Sequence, residues 1–518
     1  MLLRITQLCL PILAAICLIR LWLMPLPSSF WVDEMATVFV VEHGGGDPSL
    51  RIAPQVPQSI YYSAIREVVP GRSEIAYRLP SILFMAVALW FVALLVRRLI
   101  HPDAWWFAIF ASFTLRGINY EAGNARPYAM GMCVAAAALY FLVRWFDRKR
   151  VWDAALFVTF AALLWRVHLI FWPLYLVFAL YALVRVWQGA APPIWHLAIA
   201  FGILAVLLIP VAMRAIDLNA EAGQHVVIAQ PRWLDLAYSL RLLLVAASAL
   251  GAWIWSRVST GRSAPPAIPA SSLLLILGWW LIDPVALFAF SRITGNSVFV
   301  PRYIALMLPG TAVAATLAAG WFLPSRFWKP AALVTGICAL ILIPNWRTTW
   351  PLHHNSDWRA AARAVNGLAL PPSTPVIFPS PFVEARPPEW TPDYNMPGFL
   401  YAPLLVYPVR GNVVLFPFTA SPEAEDYAAA LLAGTVPAAG RFVLYGGDGP
   451  AYFWRDWFGF SLQRRLQPAS SALSDPAGHR LKPMLQAKAR ATPTPRADAA
   501  FISVHQRPMI PLRARRRF

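Results

Sequence analysis

The chain has 518 residues, 58% of them hydrophobic and 13% charged, with a mean hydropathy of +0.54. That is too apolar for a soluble globule of this length and assigns the chain to lipid. The net charge of +19 would direct a soluble protein to nucleic acid, but many of the Lys and Arg residues adjoin apolar stretches, as topology signals and anionic headgroups require, so membrane lipids and not nucleic acid are the expected partners.

Apolar windows of roughly 17 to 21 residues, the length that carries a helix across a ~30 Å hydrocarbon core, begin at the N-terminus. Ile5 to Met24 lacks a small-residue cleavage site and runs on into Phe30-Trp31, so it reads as a retained first span rather than a signal peptide. Leu79 to Val96 follows. Basic clusters at Arg97-Arg98, at Arg144 with Arg148-Lys149-Arg150, at Arg185, at Arg257 with Arg262 and at Arg326 with Lys329 belong in the cytoplasm by the positive-inside rule. Clusters on one side need an even number of crossings between them. The short run Ala104 to Leu115 therefore pairs with Pro127 to Val143, and Ala154 to Trp165 pairs with Val167 to Val184. Ile194 to Met213, about Tyr238 to Trp255, Ser271 to Phe290, Tyr303 to Leu323 and Pro330 to Pro344 complete the set. The expected class is an all-α polytopic membrane bundle of about 11 transmembrane helices, N-terminus inside and C-terminus outside, and lipid enforces the helices because it satisfies no backbone polar group.

Residues 1–345 form this transmembrane part. Beyond it the composition turns Pro-rich, with strand-like runs Pro375 to Phe378, Asn412 to Phe416 and Arg441 to Tyr445. Between them, segments starting at Ser356-Asp357 and at Ser421 open with helix-capping residues. Residues 346–463 are expected to form a small extracytoplasmic α/β domain, and 464–518 a basic, Pro- and Arg-rich tail that is largely flexible and binds headgroups. The four cysteines, Cys9, Cys17, Cys133 and Cys338, all fall in apolar spans without metal-type spacing, which indicates neither a disulfide framework nor a zinc site.

Ionisable residues at membrane depth are costly and therefore informative. On the outer side they are Asp33, Glu34, Arg78, Glu121, Arg126, Arg166, His168, Arg292 and Arg302. Acids with several arginines suit a site that activates a hydroxyl and holds a phosphate. Each residue also has a plainer reading. Asp33 caps a short interfacial helix with Glu34 in its first turn, Glu121 and Arg126 pair across a short turn, Arg78 snorkels from a helix end, His168 packs, and Arg302-Tyr303 anchors a span.

Order along the chain adds to this. An acidic pair in the first outer loop, Arg78-Leu-Pro-Ser opening the second span, Arg126-Pro-Tyr128 opening the fourth, Pro301-Arg302-Tyr303 opening a late span, and an outer C-terminal domain resemble the GT-C superfamily over about residues 1–345. More narrowly the chain resembles the bacterial branch related to protein O-mannosyltransferases and aminoarabinose lipid A transferases. Tyr77-Arg-Leu-Pro-Ser-Ile-Leu-Phe84 through Val96-Arg-Arg98 is the most characteristic stretch, and Asp357-Trp-Arg-Ala-Ala-Ala-Arg363 is also similar. The resemblance implies a glycosyltransferase of the bacterial inner membrane. It would move a sugar from a polyprenyl-phosphate donor, with inversion, to an extracytoplasmic glycan, lipid or protein acceptor. Asp33 matches the family's loop acid, Glu34 its companion, and Glu121 the acid of the second outer loop. Some relatives hold a divalent cation through such acids, here Asp33 and Glu121, and others need none. Arg126 and Arg302 are the candidates for the phosphate, with Arg78, Tyr128, His168 and Tyr303 beside them. The chain departs from the family's Pro-Pro-Leu-Tyr-type element, reading Ala53-Pro-Gln-Val-Pro-Gln-Ser-Ile-Tyr-Tyr62 instead.

No glycine-rich phosphate loop or Asp-x-Asp motif marks a soluble nucleotide-sugar site, which also favours a lipid-linked donor. Three alternatives stay open. A transporter or flippase of lipid-linked saccharides would show inverted repeats, which the sequence lacks. A non-catalytic envelope-assembly subunit would not need its loop acids. A polymer ligase would rest on Arg and His, in which His168 would lead.

Overall fold

Backbone groups in lipid bond only within their own segment, so the runs of apolar residues fold as helices. The computed structural model describes residues 2–43, 56–225, 229–258, 268–342, 357–387, 390–394, 398–436, 441–447, 449–466 and 498–504. The sequence readings at Ala53, Arg262, Pro344 and Ser356 lie outside them.

Each segment read as a span contains a helix. α1 (Leu2–Leu18) continues into a five-residue π-helical turn, Ile19–Leu23. α2 (Val32–His43) and α3 (Val56–Val68) follow in the first loop, ahead of α4 (Glu74–Leu99). Next come α5 (Trp105–Phe113), α6 (Arg116–Ala122), α7 (Tyr128–Arg148), α8 (Val151–Val167) and α9 (Leu174–Trp187). α10 (Ile194–His225), α11 (Trp233–Ser239), α12 (Leu242–Val258), α13 (Ala270–Thr294), α14 (Met307–Gly320) and α15 (Trp328–Leu342) complete the series. Five of these helices are long and apolar enough to cross a membrane, and α11 with α12, bent by 47° at their break, makes a sixth. The chain is a multi-pass helical membrane protein. Charge alternation led to about eleven crossings, but α5 at nine residues rises only about 13 Å, well short of a ~30 Å core.

α7 sits at the centre of this unit, packed against α4 and α8. Its run Val134-Ala-Ala-Ala-Ala-Leu139 is wholly buried, because small side chains let neighbouring helices approach closely. The same device holds α13 to α14. A Cβ on Gly310 would lie 2.9 Å from the backbone of Trp279, whose Nε1 donates to the Leu306 carbonyl at 3.0 Å. The late span was expected from Tyr303, whereas α14 starts at Met307. The preceding residues form turns in which the Val300 carbonyl accepts from the Tyr303 and Ile304 N–H groups. Arg302 and Tyr303 therefore ride on a turn and not in a helix.

The second compact unit combines Ser29–Met35 with Asn355–Phe518. Its sheet is wholly parallel, in the order β2-β1-β3-β4, with β1 (Pro375–Pro379), β2 (Asn412–Phe416), β3 (Arg441–Gly447) and β4 (Asp498–Val504). β1 is buried along its whole length, as a strand covered on both faces must be. The helices are α16 (Trp358–Gly367), α17 (Ala402–Val406), α18 (Pro422–Ala433) and α19 (Pro450–Leu466). Asp357 caps α16 by accepting from Ala360 N–H at 3.0 Å, and Ser421 caps α18 by accepting from Ala424 N–H at 3.2 Å. Trp358, Phe378, Tyr401 and Tyr445 pack ring against ring inside the unit. Three strands match the expected runs. The fourth, Asp498-Ala-Ala-Phe-Ile-Ser-Val504, lies inside the stretch that composition reads as a tail, where one short apolar run is diluted by the Pro and Arg around it.

Replacing Gly310 by Leu forces α13 and α14 apart. The expected cost is about 1–3 kcal/mol, the usual range for overpacking, measured as a lower unfolding midpoint in detergent; an unchanged midpoint contradicts the close approach.

Candidate functional site

The acidic pair begins a helix. Asp33 and Glu34 lie in the first turn of α2, where the helix dipole favours negative charge. Glu34 is buried, and its Oε2 accepts the Trp31 N–H at 3.1 Å, a back-reaching contact at this helix start. Just before it, the Phe30 N–H donates to the Tyr407 hydroxyl at 2.8 Å. Asp33 is half-buried.

Thr37 leads into the transmembrane unit's own cluster. Its Oγ1 accepts from Arg126 Nη1 at 3.1 Å. Arg126 and Pro127 close the turn between α6 and α7, a suitable place for proline because the first helical N–H groups need no partner within the helix. The Arg126 guanidinium carbon stands 6.0 Å from the centre of the Tyr128 ring. Tyr128 stacks on His168 with centroids 5.6 Å apart, and His168 meets Tyr303 at 5.4 Å. The Arg302 guanidinium carbon is 5.5 Å from the Tyr303 ring centre. Two cations thus bracket three aromatic rings. His168 sits at the break after α8, and its Nδ1 accepts the Ile170 N–H at 3.3 Å, which leaves the hydrogen of the neutral ring on Nε2. Five of the residues singled out from sequence, Arg126, Tyr128, His168, Arg302 and Tyr303, therefore form one continuous chain of contacts.

The others are placed differently. Arg78 is fully buried, and its Nη1 donates to the Leu26 carbonyl at 2.8 Å, the Ser28 carbonyl at 2.6 Å and the Ser28 hydroxyl at 3.0 Å. It ties down the turn that leaves the first span instead of snorkelling to the interface. Glu121 is buried at the end of α6. Arg166 and Arg292 are exposed, and Arg166 donates to the Leu207 carbonyl at 3.1 Å. Among the described residues no group of three or more His, Cys, Asp or Glu side chains is gathered to hold a metal ion.

Thr37, Tyr61 and Asn124 were not singled out from the sequence. Burial pushes the Tyr61 hydroxyl up to about 12, against the opposing pull of its bond to Tyr62 and of the Arg126 charge. Asn124 is buried, and its carbonyl accepts from the Ser81 hydroxyl at 2.5 Å. Asp283, midway along α13, is buried, and neither of its carboxyl oxygens has a hydrogen-bond partner among the described residues. A lone acid in an apolar run was the available signal for it.

No family model matches the chain, and no curated protein does. Among solved structures, ArnT from Cupriavidus metallidurans in the apo state matches with a TM-score of 0.50, covering 83% of this chain and 88% of that chain. The two share a fold. At 13% identity the likeness concerns the path of the chain alone. The same protein bound to undecaprenyl phosphate matches over 81% of this chain and 87% of its own, at 12% identity and a TM-score of 0.49.

Replacing Arg78 by Leu leaves the Leu26 and Ser28 carbonyls without their charged donor. The expected loss of stability is at least about 1.5–3 kcal/mol, the net value of one charged hydrogen bond. A variant that melts with the wild type in detergent shows that the turn is held by other means.

Proposed function

We propose that this protein is a membrane glycosyltransferase that takes a sugar from a polyprenyl-phosphate donor and passes it to an acceptor on the extracytoplasmic side. The observation that carries the reading is the run of rings Tyr128, His168 and Tyr303 bracketed by Arg126 and Arg302. Guanidinium groups suit phosphate, since they present several donors and keep their charge at every physiological pH. A soluble nucleotide sugar needs no apolar surroundings, whereas a lipid-linked donor delivers its phosphate at membrane depth, where such cations are otherwise costly. The fold shared with ArnT and the motif order that resembles the GT-C superfamily support the same class. A C-terminal unit on the outer side, in the inner membrane of a bacterium, completes the proposal.

In the reaction an acceptor hydroxyl oxygen attacks the anomeric carbon as the bond from that carbon to the phosphate oxygen breaks. The hydroxyl proton passes to the Asp33 carboxylate, and the electron pair of the broken bond stays on the lipid phosphate. Negative charge builds on that phosphate in the transition state, where Arg126 and Arg302 stabilise it. Attack from the face opposite the leaving group inverts the anomeric carbon. Glu34, bonded to Trp31 N–H, sets the start of the helix that carries Asp33. Tyr128, His168 and Tyr303 supply faces on which sugar and isoprenoid pack.

The test is transfer of radiolabelled sugar from a panel of polyprenyl-phosphate sugars to membrane acceptors by the full-length protein. Asp33→Asn at equal expression should lower the rate by about 10²- to 10⁴-fold, the contribution of a general base. Arg126→Ala should lower it by about 10²- to 10³-fold, as loss of one transition-state donor does. Wild-type turnover in Asp33→Asn removes the base from the mechanism. No transfer by the wild type from any donor in the panel sinks the transferase reading.

A further inference from the structure

Asn124 carries a buried amide left unbonded by the described residues. The residue is 1% exposed, and neither Oδ1 nor Nδ2 has a hydrogen-bond partner among the described residues. Its backbone, in contrast, is fixed. The N–H donates to the Glu121 carbonyl at 3.4 Å, and the carbonyl accepts from the Arg126 N–H at 2.9 Å and from the Ser81 hydroxyl at 2.5 Å. Folded proteins satisfy nearly all their buried polar groups, so an amide held rigidly and left open points to a partner from outside the chain. Asn124 also stands two residues from Arg126, the first cation of the aromatic run.

We propose that Asn124 reads the sugar of the lipid-linked donor, an inference that rests on the transferase reading. The amide offers two N–H donors on one side and an acceptor oxygen on the other. A phosphate only accepts and would leave Oδ1 unpaired. A sugar hydroxyl both donates and accepts, and two neighbouring hydroxyls satisfy both ends of the amide at once. The phosphate thus falls to Arg126 and the sugar hydroxyls to Asn124, on one short turn that opens α7. Asn124 is then a specificity-determining residue, and a donor lacking the hydroxyls it bonds leaves a buried amide unpaired and is rejected.

Binding to the full-length protein in nanodiscs separates these roles with two probes, a bare long-chain polyprenyl phosphate and the same lipid phosphate carrying a hexose or a pentose. The wild type should bind a glycosylated lipid more tightly. Asn124→Ala and the size-matched Asn124→Asp should lose that preference by about tenfold, the worth of one hydrogen bond to a neutral group, and keep their affinity for the bare phosphate. Arg126→Ala should weaken both probes alike. Asn124→Leu should in addition raise the melting temperature of the ligand-free protein, because it removes an unpaired amide. A sugar preference that survives in both Asn124→Ala and Asn124→Asp overturns the inference and assigns the amide to a trapped water, while the transferase reading stands. A lower melting temperature in Asn124→Leu likewise shows an amide bonded within the fold. Failure of the wild type to bind either probe overturns the transferase reading and this inference together.

Discussion

A charge or polar group in a low-dielectric surrounding must find a partner or leave, and this constraint arranges the protein. Arg144, at the end of α7, meets it with the Asp153 carboxylate at 2.9 Å. Arg98 and Arg185 meet it by sharing the two oxygens of Asp147. Arg78 meets it through the backbone of the turn that leaves the first span. Arg126, which donates to the Thr37 hydroxyl, and Arg302 also lie beside aromatic faces, which attract a cation.

The helices position these groups through their ends rather than their lengths. α6 stops at Ala122 and α7 starts at Tyr128, so Asn124 and Arg126 fall within one short turn just after Glu121. α8 stops at Val167, which frees His168 to stack on Tyr128. The turns before α14 present Arg302 and Tyr303. Close helix contacts fix these ends to one another, since Trp279 and Gly310 lock α13 against α14 just beyond those turns. Small residues in the spans thus give a set of irregular segments the rigidity that a binding site needs.

The C-terminal unit follows a different logic. Its strands are short apolar runs in a parallel sheet, covered by helices whose caps, Asp357 and Ser421, satisfy the first free N–H groups. Ser29–Met35 belongs to this unit by its contacts, and the Phe30 N–H bond to the Tyr407 hydroxyl shows one of them. The acidic pair of the first loop is therefore held in part by a segment almost four hundred residues away in the chain. Nothing local in the sequence around Asp33 reports that bond.

Much of this was legible in the sequence because it depends on local rules. Hydropathy and length marked the membrane class and a helix within each segment read as a span, because long apolar runs in lipid must bond their backbone within themselves. Capping residues marked α16 and α18, and β-branched runs marked three strands. Charge alternation led to more crossings than helix length supports, since it counts sides and not distances, and β4 was hidden by the composition around its seven residues. The acids and arginines of the outer turns were also visible one by one. Only the tertiary structure decided which of them meet. Arg126, Tyr128, His168, Tyr303 and Arg302 come from three turns spread over more than 170 residues, and their contacts depend on how α7, α8, α9 and α14 pack. It also decided that Arg78 bonds the backbone, and that the amide of Asn124 is buried without a partner among the described residues, because satisfaction of a hydrogen bond is a property of neighbours in space.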